Sequence, residues 1–238
     1  MIEATRRTSG AFLAWLDEWY AGLEPASLDD LLAAAGGPER AAVFCVDLLE
    51  GFCRQGPLSS PRVAAIIEPI LRLMRRAHDA GVGKFLLPQD AHPPESPEFG
   101  QFGPHCVVGT PEAETVAELK ALPFADELTI IPKRSLSCAV GTELPAWLDR
   151  EGTPTLALVI GDCTDLCIYQ AAMYLKLRAN DRGEQCQVVI PADCVDTYDL
   201  PIETAAEVGA LPHDGELMHR LFLYHLALNG VRIAKSVT

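Results

Sequence analysis

One cysteine in the sequence lies where a thiol can act as a nucleophile. Cys167 follows the apolar run Leu156–Ile160 and a short polar turn, and a helical pattern continues from Ile168. A cysteine at a helix N-terminus meets the positive end of the helix dipole and free backbone N–H groups, which favour the thiolate. The same N–H groups can stabilise an oxyanion on a bound carbonyl. The pattern alone allows either a catalytic nucleophile or a buried structural thiol.

Two charged residues end other apolar runs. Asp47 follows Ala41–Val46 and could act as a general base, or it could cap the next turn. Lys133 lies two residues after the run Leu128–Ile131, and could hold a thiolate and a carboxylate in one charged cluster. A solvated surface position is the alternative for this lysine.

A polar loop after the run Val82–Leu87 has the residue types of a metal site. Its candidate ligands are two carboxylates and two imidazoles, Asp90, His92, Glu98 and His105. Two nitrogen and two oxygen ligands suit zinc, iron(II) or manganese and leave room for water or substrate. The alternative is a polar loop whose histidines are hydrogen-bonded.

Short apolar runs that alternate with helical patterns must position these residues. The predicted strands are Ala41–Val46, Val82–Leu87, Leu128–Ile131, Leu156–Ile160 and Gln187–Ile190. The predicted helices among them are Pro61–Ala80, Leu144–Arg150, Cys167–Ala179 and Leu217–Asn229. This alternation predicts a doubly wound α/β fold, with a mostly parallel sheet and helices on both faces. Ligands of such folds bind at the carboxyl ends of the strands, where the candidate residues lie.

Residues 1–39 have a different, helical pattern. Ser9 is the expected cap of a first amphipathic helix, and Ser27 of a second helix that ends before Gly36. We therefore predict an N-terminal helical extension over 1–39, for packing or contact between subunits, and an α/β domain over 40–238.

Composition excludes several classes of function. The formal net charge of −14 argues against a surface for nucleic acid or anionic membranes, both of which need basic patches. We find no signal peptide and no apolar run of bilayer length. The eight cysteines show no second pair at zinc-finger spacing, so reduced thiols in a cytoplasmic protein are expected.

From residue 40 onward the sequence resembles the nicotinamidase/isochorismatase family of cysteine hydrolases. Three segments carry the resemblance in the family's order: V-D-L-L-E-G-F-C, I-P-K-R-S-L-S-C-A-V-G-T-E-L and I-G-D-C-T-D-L-C-I. It implies a catalytic set of Asp47, Lys133 and Cys167. It also implies a cis peptide bond before Cys163 and an oxyanion hole formed by the backbone N–H groups of Cys163 and Cys167.

The metal loop is similar to that of the nicotinamidase branch. The segment D-A-H-P-P-E-S-P-E-F-G-Q-F-G-P-H-C-V-V-G-T implies the ligands Asp90, His92, Glu98 and His105. Glu95 competes with Glu98, which fits the family pattern better. The resemblance implies a divalent metal, with zinc first and iron or manganese as alternatives.

The resemblance also implies a substrate pocket that includes Phe52, Phe102, Leu136 and Asp162. Leu136 and Ala139 stand where nicotinamidases more often have aromatic residues, so we expect a wider pocket with less stacking surface. Asp162 stands where a small or apolar residue is usual.

The resemblance favours hydrolysis of nicotinamide, or a similar heteroaromatic amide, to the acid and ammonia through a thioester. This reaction would belong to NAD salvage, and a homo-oligomer without nucleic-acid or membrane partners is expected. One alternative is a family cysteine hydrolase acting on a carbamoyl or ureido compound. Another is a non-catalytic metal-binding scaffold. Isochorismatase-like enol ether hydrolysis is disfavoured by Cys167, because those relatives do not use a cysteine nucleophile.

Overall fold

A seven-stranded sheet forms the centre of the computed structural model, which describes residues 2–238 and the side chains of residues 9–238. The strands are β1 (Ala41–Val46), β2 (Phe85–Asp90), β3 (Leu128–Lys133), β4 (Leu156–Asp162), β5 (Gln187–Pro191), β6 (Val195–Asp196) and β7 (Arg232–Ala234). Their order is β3-β2-β1-β4-β5-β7, with β6 beside β4, and the strand pairs are parallel. The predicted fold class is confirmed.

Helices connect the strands and flank the sheet. They are α1 (Ile2–Ala21), α2 (Leu28–Ala35), α3 (Glu50–Cys53), α4 (Pro61–Ala65), α5 (Ile67–Asp79), α6 (Phe99–Phe102), α7 (Ala117–Lys120), α8 (Leu144–Glu151), α9 (Cys167–Arg182), α10 (Ile202–Val208) and α11 (Gly215–Leu228). None of the helices described between residues 2 and 238 is long and apolar enough to cross a bilayer.

Alternation along the strands divides the core into two layers. In β1, Val43 and Cys45 face the layer that contains α2 and α5, whereas Phe44 and Val46 face α8, α9 and α11. Parallel strands that are covered on both faces read as continuous apolar runs, which is why β1 shows no polar alternation.

A glycine brings β1 and β4 together where the two strands end. Gly161 has φ +114°, and a Cβ atom there would lie 1.9 Å from the carbonyl oxygen of Val46. Only glycine avoids this clash and adopts this backbone conformation readily. The next residue, Asp162, is thereby placed beside the end of β1.

Several predicted boundaries are wrong. Helix α1 begins at Ile2, so Ser9 lies inside it and is not its cap. The strand predicted at Val82–Leu87 is β2, Phe85–Asp90; Gly83 is a poor strand residue, and the polar end of β2 hid its true extent. The helix predicted at Pro61–Ala80 is two helices, α4 and α5, because Pro69 has no N–H to donate and fits only the first turn of a helix.

The N-terminal extension packs in two ways. Helix α2 contributes Leu28 and Leu31 to the same core as β1, and its predicted Ser27 cap accepts a hydrogen bond from the N–H of Asp30. Helix α1 packs against α11. The boundary between extension and domain at residues 39 and 40 stays a prediction. All eight cysteines are buried and have free thiols.

Candidate active site

Three charged residues meet where β1, β2 and β3 end; we call Asp47, Asp90 and Lys133 the strand-end cluster. Lys133 Nζ lies 2.7 Å from Oδ2 of Asp47 and 2.6 Å from Oδ1 of Asp90. It also lies 3.4 Å from Sγ of Cys167. The topology explains this meeting, because the three strands are neighbours and their carboxyl ends share one edge. The lysine therefore links both carboxylates to the predicted nucleophile.

Backbone contacts fix the orientation of Asp47. Its φ is +54°, a left-handed conformation that aspartate tolerates better than most side chains. Its N–H donates to the carbonyl of Pro88 at 2.9 Å, and its Oδ1 accepts from the N–H of Asp90 at 2.8 Å. These bonds leave Oδ2 directed at Lys133.

The charges in the cluster depend on burial and on each other. Burial raises the pKa of Asp47 to about 6, against the opposing effect of Lys133. Burial also raises the pKa of Asp90, but Lys133, His105 and His92 outweigh it and hold that pKa well below its usual range. Burial lowers the pKa of Lys133, but the neighbouring Asp47 outweighs it and raises that pKa well above the usual value. The lysine is thus a cation between two acids.

Cys167 is the first residue of α9, and the backbone around it has two free donors. The peptide bond between Asp162 and Cys163 is cis, as the family resemblance implies. Within residues 2–238, the N–H groups of Cys163 and Cys167 donate to no protein acceptor. Burial raises the pKa of the Cys167 thiol well above its usual value, and Lys133 opposes this shift. The resting group is therefore a thiol and not the thiolate that a helix N-terminus favours, and it lies beside the buried carboxyl group of Asp47.

Hydrogen bonds hold the segment 162–167, which we call the nucleophile turn. Thr164 Oγ1 lies 2.9 Å from Nδ1 of His219, and Asp165 Oδ2 lies 2.8 Å from Nε2 of His213. The His213 ring stacks on Tyr198, with 4.0 Å between ring centroids. Side chains far along the sequence therefore position the two free N–H groups.

Three of the predicted metal ligands converge. One ligand atom each from Asp90, His92 and His105 can be chosen so that all lie within 4.8 Å of one another. Nδ1 of His105 lies 2.8 Å from the carbonyl of Gly103, which fits donation from Nδ1 and leaves Nε2 with a lone pair. Nε2 of His92 is buried and lies 3.3 Å from Oδ1 of Asp90, but it makes no well-aligned hydrogen bond in the described part of the chain. Two imidazole nitrogens and a carboxylate are a donor set that fits zinc and similar divalent ions.

The fourth predicted ligand lies beside this group but outside it. Glu98 lines the same cavity, and its Oε1 is buried without a hydrogen-bond partner among residues 9–238. Burial and the nearby Asp90 raise the pKa of Glu98. Glu95 is exposed to solvent. The geometry favours Glu98 over Glu95 as the acidic ligand.

A cavity joins Cys167 to the predicted metal ligands and encloses about 430 Å³, part of which is open to solvent. It is lined by Asp47, Phe52, Leu58, Asp90, Glu98, Phe102, His105, Leu136, Asp162, Cys163, Leu166, Cys167 and Tyr198. All four predicted pocket residues are in this set. Ala139 is not in this set, and its N–H donates to Oγ of Ser137; its effect on the width of the pocket stays a prediction.

Sequence reasoning missed several residues of the site. Tyr198 follows β6, a strand of only two residues that leaves no periodic signal. Leu58 lies in a loop without any motif. His213 and His219 support the nucleophile turn from a distant part of the chain, and nothing local in the sequence marks them. Leu166 alone could have been found, since it adjoins Cys167.

Comparison with known proteins agrees with this geometry. The sequence profile of the Isochorismatase domain matches residues 41–211. The chain belongs to the isochorismatase family. The match begins at the first residue of β1 and includes the strand-end cluster and the nucleophile turn.

This family member resembles nicotinamidases in sequence and in fold. Nicotinamidase 1 of Arabidopsis thaliana is 29% identical over 213 residues, which cover 81% of this chain and 84% of that protein. The nicotinamidase PncA of Bacillus subtilis has a TM-score of 0.62 at 23% identity, with 82% of this chain and 99% of that chain covered.

Two further solved structures share the fold. The pyrazinamidase of Pyrococcus horikoshii in complex with zinc has a TM-score of 0.60 at 24% identity, over 82% of this chain and 98% of that chain. The N-carbamoylsarcosine amidase of Thermoplasma acidophilum has a TM-score of 0.60 at 19% identity, over 82% and 95%. The chain is thus an isochorismatase-family cysteine hydrolase, and a nicotinamidase is one of its homologues. Hydrolases of the nicotinamidase/isochorismatase family act on amides.

Proposed function

We propose that this hydrolase is a metal-assisted amidase that converts nicotinamide, or a similar heteroaromatic amide, to the acid and ammonia. One observation carries the proposal. Lys133 joins Asp47 and Cys167 on one side to Asp90 on the other, so a nucleophile and a metal-ligand group share one cavity. The homology to a nicotinamidase supports the substrate class.

The first half of the reaction makes a thioester. Asp47 takes the proton of the Cys167 thiol as sulfur attacks the amide carbon, and Lys133 stabilises the developing negative charge. The N–H groups of Cys163 and Cys167 donate to the oxyanion, and one such donor typically contributes about 3 kcal/mol. Asp47 then returns the proton to the leaving nitrogen, which departs as ammonia. A base with its pKa raised to about 6 suits both transfers near neutral pH.

The second half regenerates the enzyme. Water attacks the thioester carbon while Asp47 accepts a proton from it, and the same two N–H groups hold the second oxyanion. The C–S bond breaks, Cys167 recovers its proton and the carboxylic acid leaves. One amide and one water thus give one acid and one ammonia.

The residues that would hold a metal are Asp90, His92, His105 and Glu98. A divalent ion bound there supplies a Lewis acid for a heteroaromatic ring nitrogen. We propose zinc, with iron or manganese as alternatives, because two imidazoles and carboxylate oxygens suit it and because the Pyrococcus horikoshii pyrazinamidase is a zinc complex. The protein's own contribution is to orient the ring so that the amide lies over Cys167.

Ammonia release from nicotinamide tests the proposal. We expect turnover by the wild type and a loss of at least about 1,000-fold in Cys167→Ala, since the residual rate lacks the covalent step. Cys186→Ala is the matched control, because Cys186 is also a buried free thiol but does not line the cavity. Equal activity in Cys167→Ala and the wild type would contradict the mechanism.

A panel of amides separates the alternatives. Turnover of a carbamoyl or ureido compound but not of nicotinamide would favour the second kind of hydrolase. Bound metal together with no turnover of any amide and an unreactive Cys167 would favour a scaffold. A cytoplasmic location, a place in NAD salvage, and a homo-oligomer without nucleic-acid or membrane partners stay proposals.

A further inference from the structure

Asp162 is a buried carboxyl group in the cavity wall that the mechanism above does not use. It ends β4, is 1% exposed and lines the cavity beside Cys163. Its Oδ2 accepts a weak hydrogen bond from Sγ of Cys163 at 3.6 Å. Its Oδ1 is buried and has no hydrogen-bond partner in the described part of the chain. Buried polar atoms are normally paired, so Oδ1 points to a partner from outside the protein.

The surroundings of Asp162 make it a donor rather than an anion. Among residues 9–238, no Lys, Arg or His forms an ion pair with it. Burial, and then the nearby Asp47, raise its pKa well above the usual range, against the weaker opposing effects of the hydrogen bond from Cys163 and of Lys133. A protonated carboxyl has one O–H to donate. Because Oδ2 already accepts from Cys163, the proton is best placed on Oδ1.

We propose that Asp162 selects amide substrates that carry a second hydrogen-bond acceptor, such as an additional ring nitrogen or a ring carbonyl, on the side facing β4. This inference rests on the proposed amidase function. Asp162 is then a specificity-determining residue, distinct from the catalytic set and from the metal ligands.

The positions of the strands limit the shape of a substrate that can reach both Asp90 and Asp162. Asp90 ends β2 and Asp162 ends β4, with β1 between them, so their strands lie roughly 10 Å apart. A small planar ring with its amide over Cys167 can reach toward both. Phe52 and Leu136 add apolar side chains to the cavity wall. In such a wall an unmatched O–H discriminates strongly, because an analogue without the acceptor leaves the buried donor unpaired.

A substrate series tests this on the unmodified protein. Pyrazinamide and pyrimidine-5-carboxamide each add one ring nitrogen to nicotinamide, at different positions. We expect at least one of them to exceed nicotinamide in kcat/KM by about tenfold. A wild type that favours neither compound would overturn the inference.

Two variants assign the preference to Asp162. Asp162→Leu removes the donor, and we expect the ratio of diazine to nicotinamide kcat/KM to fall about tenfold, mainly through KM for the diazine. Asp162→Asn keeps an N–H donor and should hold the ratio within about threefold. Asp193→Leu is the matched control, since Asp193 also accepts from the next residue, Cys194, but does not line the cavity. An unchanged ratio in Asp162→Leu contradicts the proposal.

Binding separates this inference from the proposed function. Calorimetry of the same amides with Cys167→Ala, alone and combined with Asp162→Leu or Asp162→Asn, needs no turnover. A diazine preference that Asp162→Leu abolishes supports the inference even if the wild type releases no ammonia. Ammonia release with an unchanged preference overturns it and leaves the amidase proposal intact. If Asp162→Leu does not fold, loss of the preference in Asp162→Asn would still refute a neutral donor.

Discussion

Asp90 and Asp162 are similarly buried at the same edge of the sheet, 2% and 1% exposed, but their pKa values shift in opposite directions. Asp90 contacts Lys133 and lies near two imidazoles, which lower its pKa despite burial. Asp162 contacts no cation, and burial with the nearby Asp47 raises its pKa. Burial disfavours the ionised form of a carboxyl group, and nearby charges and hydrogen bonds decide whether the group is ionised in the folded protein.

The same contrast extends to the regions around them. Ion pairs with Lys133 hold the strand-end cluster, so removing the lysine leaves two buried carboxyl groups without their cation. In the nucleophile turn, hydrogen bonds and the single pair of Asp165 with His213 position the backbone. Substitutions in the two regions should therefore differ in size and in pH dependence.

The largest effect is expected for Lys133→Met. It leaves Asp47 and Asp90 buried without their cation, which should lower the free energy of unfolding by about 3–5 kcal/mol and abolish amidase turnover. Chemical denaturation and ammonia release measure the two effects. Lys120→Met, which breaks an exposed pair with Glu114, is the control and should cost less than about 1 kcal/mol. Similar losses of unfolding free energy in Lys133→Met and Lys120→Met would show that the buried ion pairs matter no more than an exposed pair.

Metal content tests the predicted metal ligands that lie near Asp90 of the strand-end cluster. His105→Gln should reduce zinc affinity by at least about 100-fold, because even loss of a residue that only supports a ligand costs 10- to 100-fold. Glu98→Gln should weaken binding while Glu95→Gln should not, since only Glu98 lines the cavity. Elemental analysis after dialysis measures this, and equal metal content in the two glutamate variants would exclude Glu98 as a ligand.

The pair of Asp165 and His213 should stabilise the fold in a pH-dependent way. Burial lowers the pKa of His213, but the hydrogen bond with Asp165 outweighs it and raises the net value. For Asp165, burial raises the pKa, but bonding to His213 lowers the net value. The stabilisation is therefore present above the unfolded Asp pKa of about 3.9 and is lost as pH rises through the raised His213 pKa.

A double-mutant cycle with Asp165→Asn and His213→Gln measures that coupling. We expect about 1–2 kcal/mol near pH 6 and a smaller value at pH 9, from denaturation at each pH. A coupling that stays constant or grows with pH would show that the pair does not depend on the charged histidine.

The smallest effect is expected where the N-terminal helix reaches the nucleophile turn. Tyr20 lies with its hydroxyl 3.1 Å from Nε2 of His219, whose Nδ1 lies 2.9 Å from Thr164 Oγ1. Tyr20→Phe should cost about 1 kcal/mol in thermal denaturation, because the buried imidazole loses a partner. Tyr174→Phe is the control, since that hydroxyl has no hydrogen-bond partner among residues 9–238. Equal shifts in the melting temperature of Tyr20→Phe and Tyr174→Phe would show that the contact with His219 does not contribute to stability.

Much of the site could be predicted from the sequence because its residues are local to strand ends and to one helix start. Asp47, Lys133 and Cys167 each follow or begin an apolar element, and the four predicted metal ligands lie within sixteen residues, 90 to 105. Their meeting follows from a parallel sheet, whose carboxyl ends share one edge. Strand ends were harder to place, as β2 shows, because its polar end lacks the apolar pattern.

Only the tertiary structure decided the charge state of Asp162 and the hydrogen bonds that hold the nucleophile turn. The sequence determined that an acid stands at position 162, but its lack of a cation depends on which side chains the strand order brings near. Likewise, His213 and His219 act on a turn about fifty residues away, with Asp165 and Thr164 as their partners. Contacts of such separation depend on packing between elements, whereas periodicity and motifs report only the local chain. The sequence therefore determined the family and the predicted catalytic residues, whereas the tertiary structure decided which side chains surround Asp162.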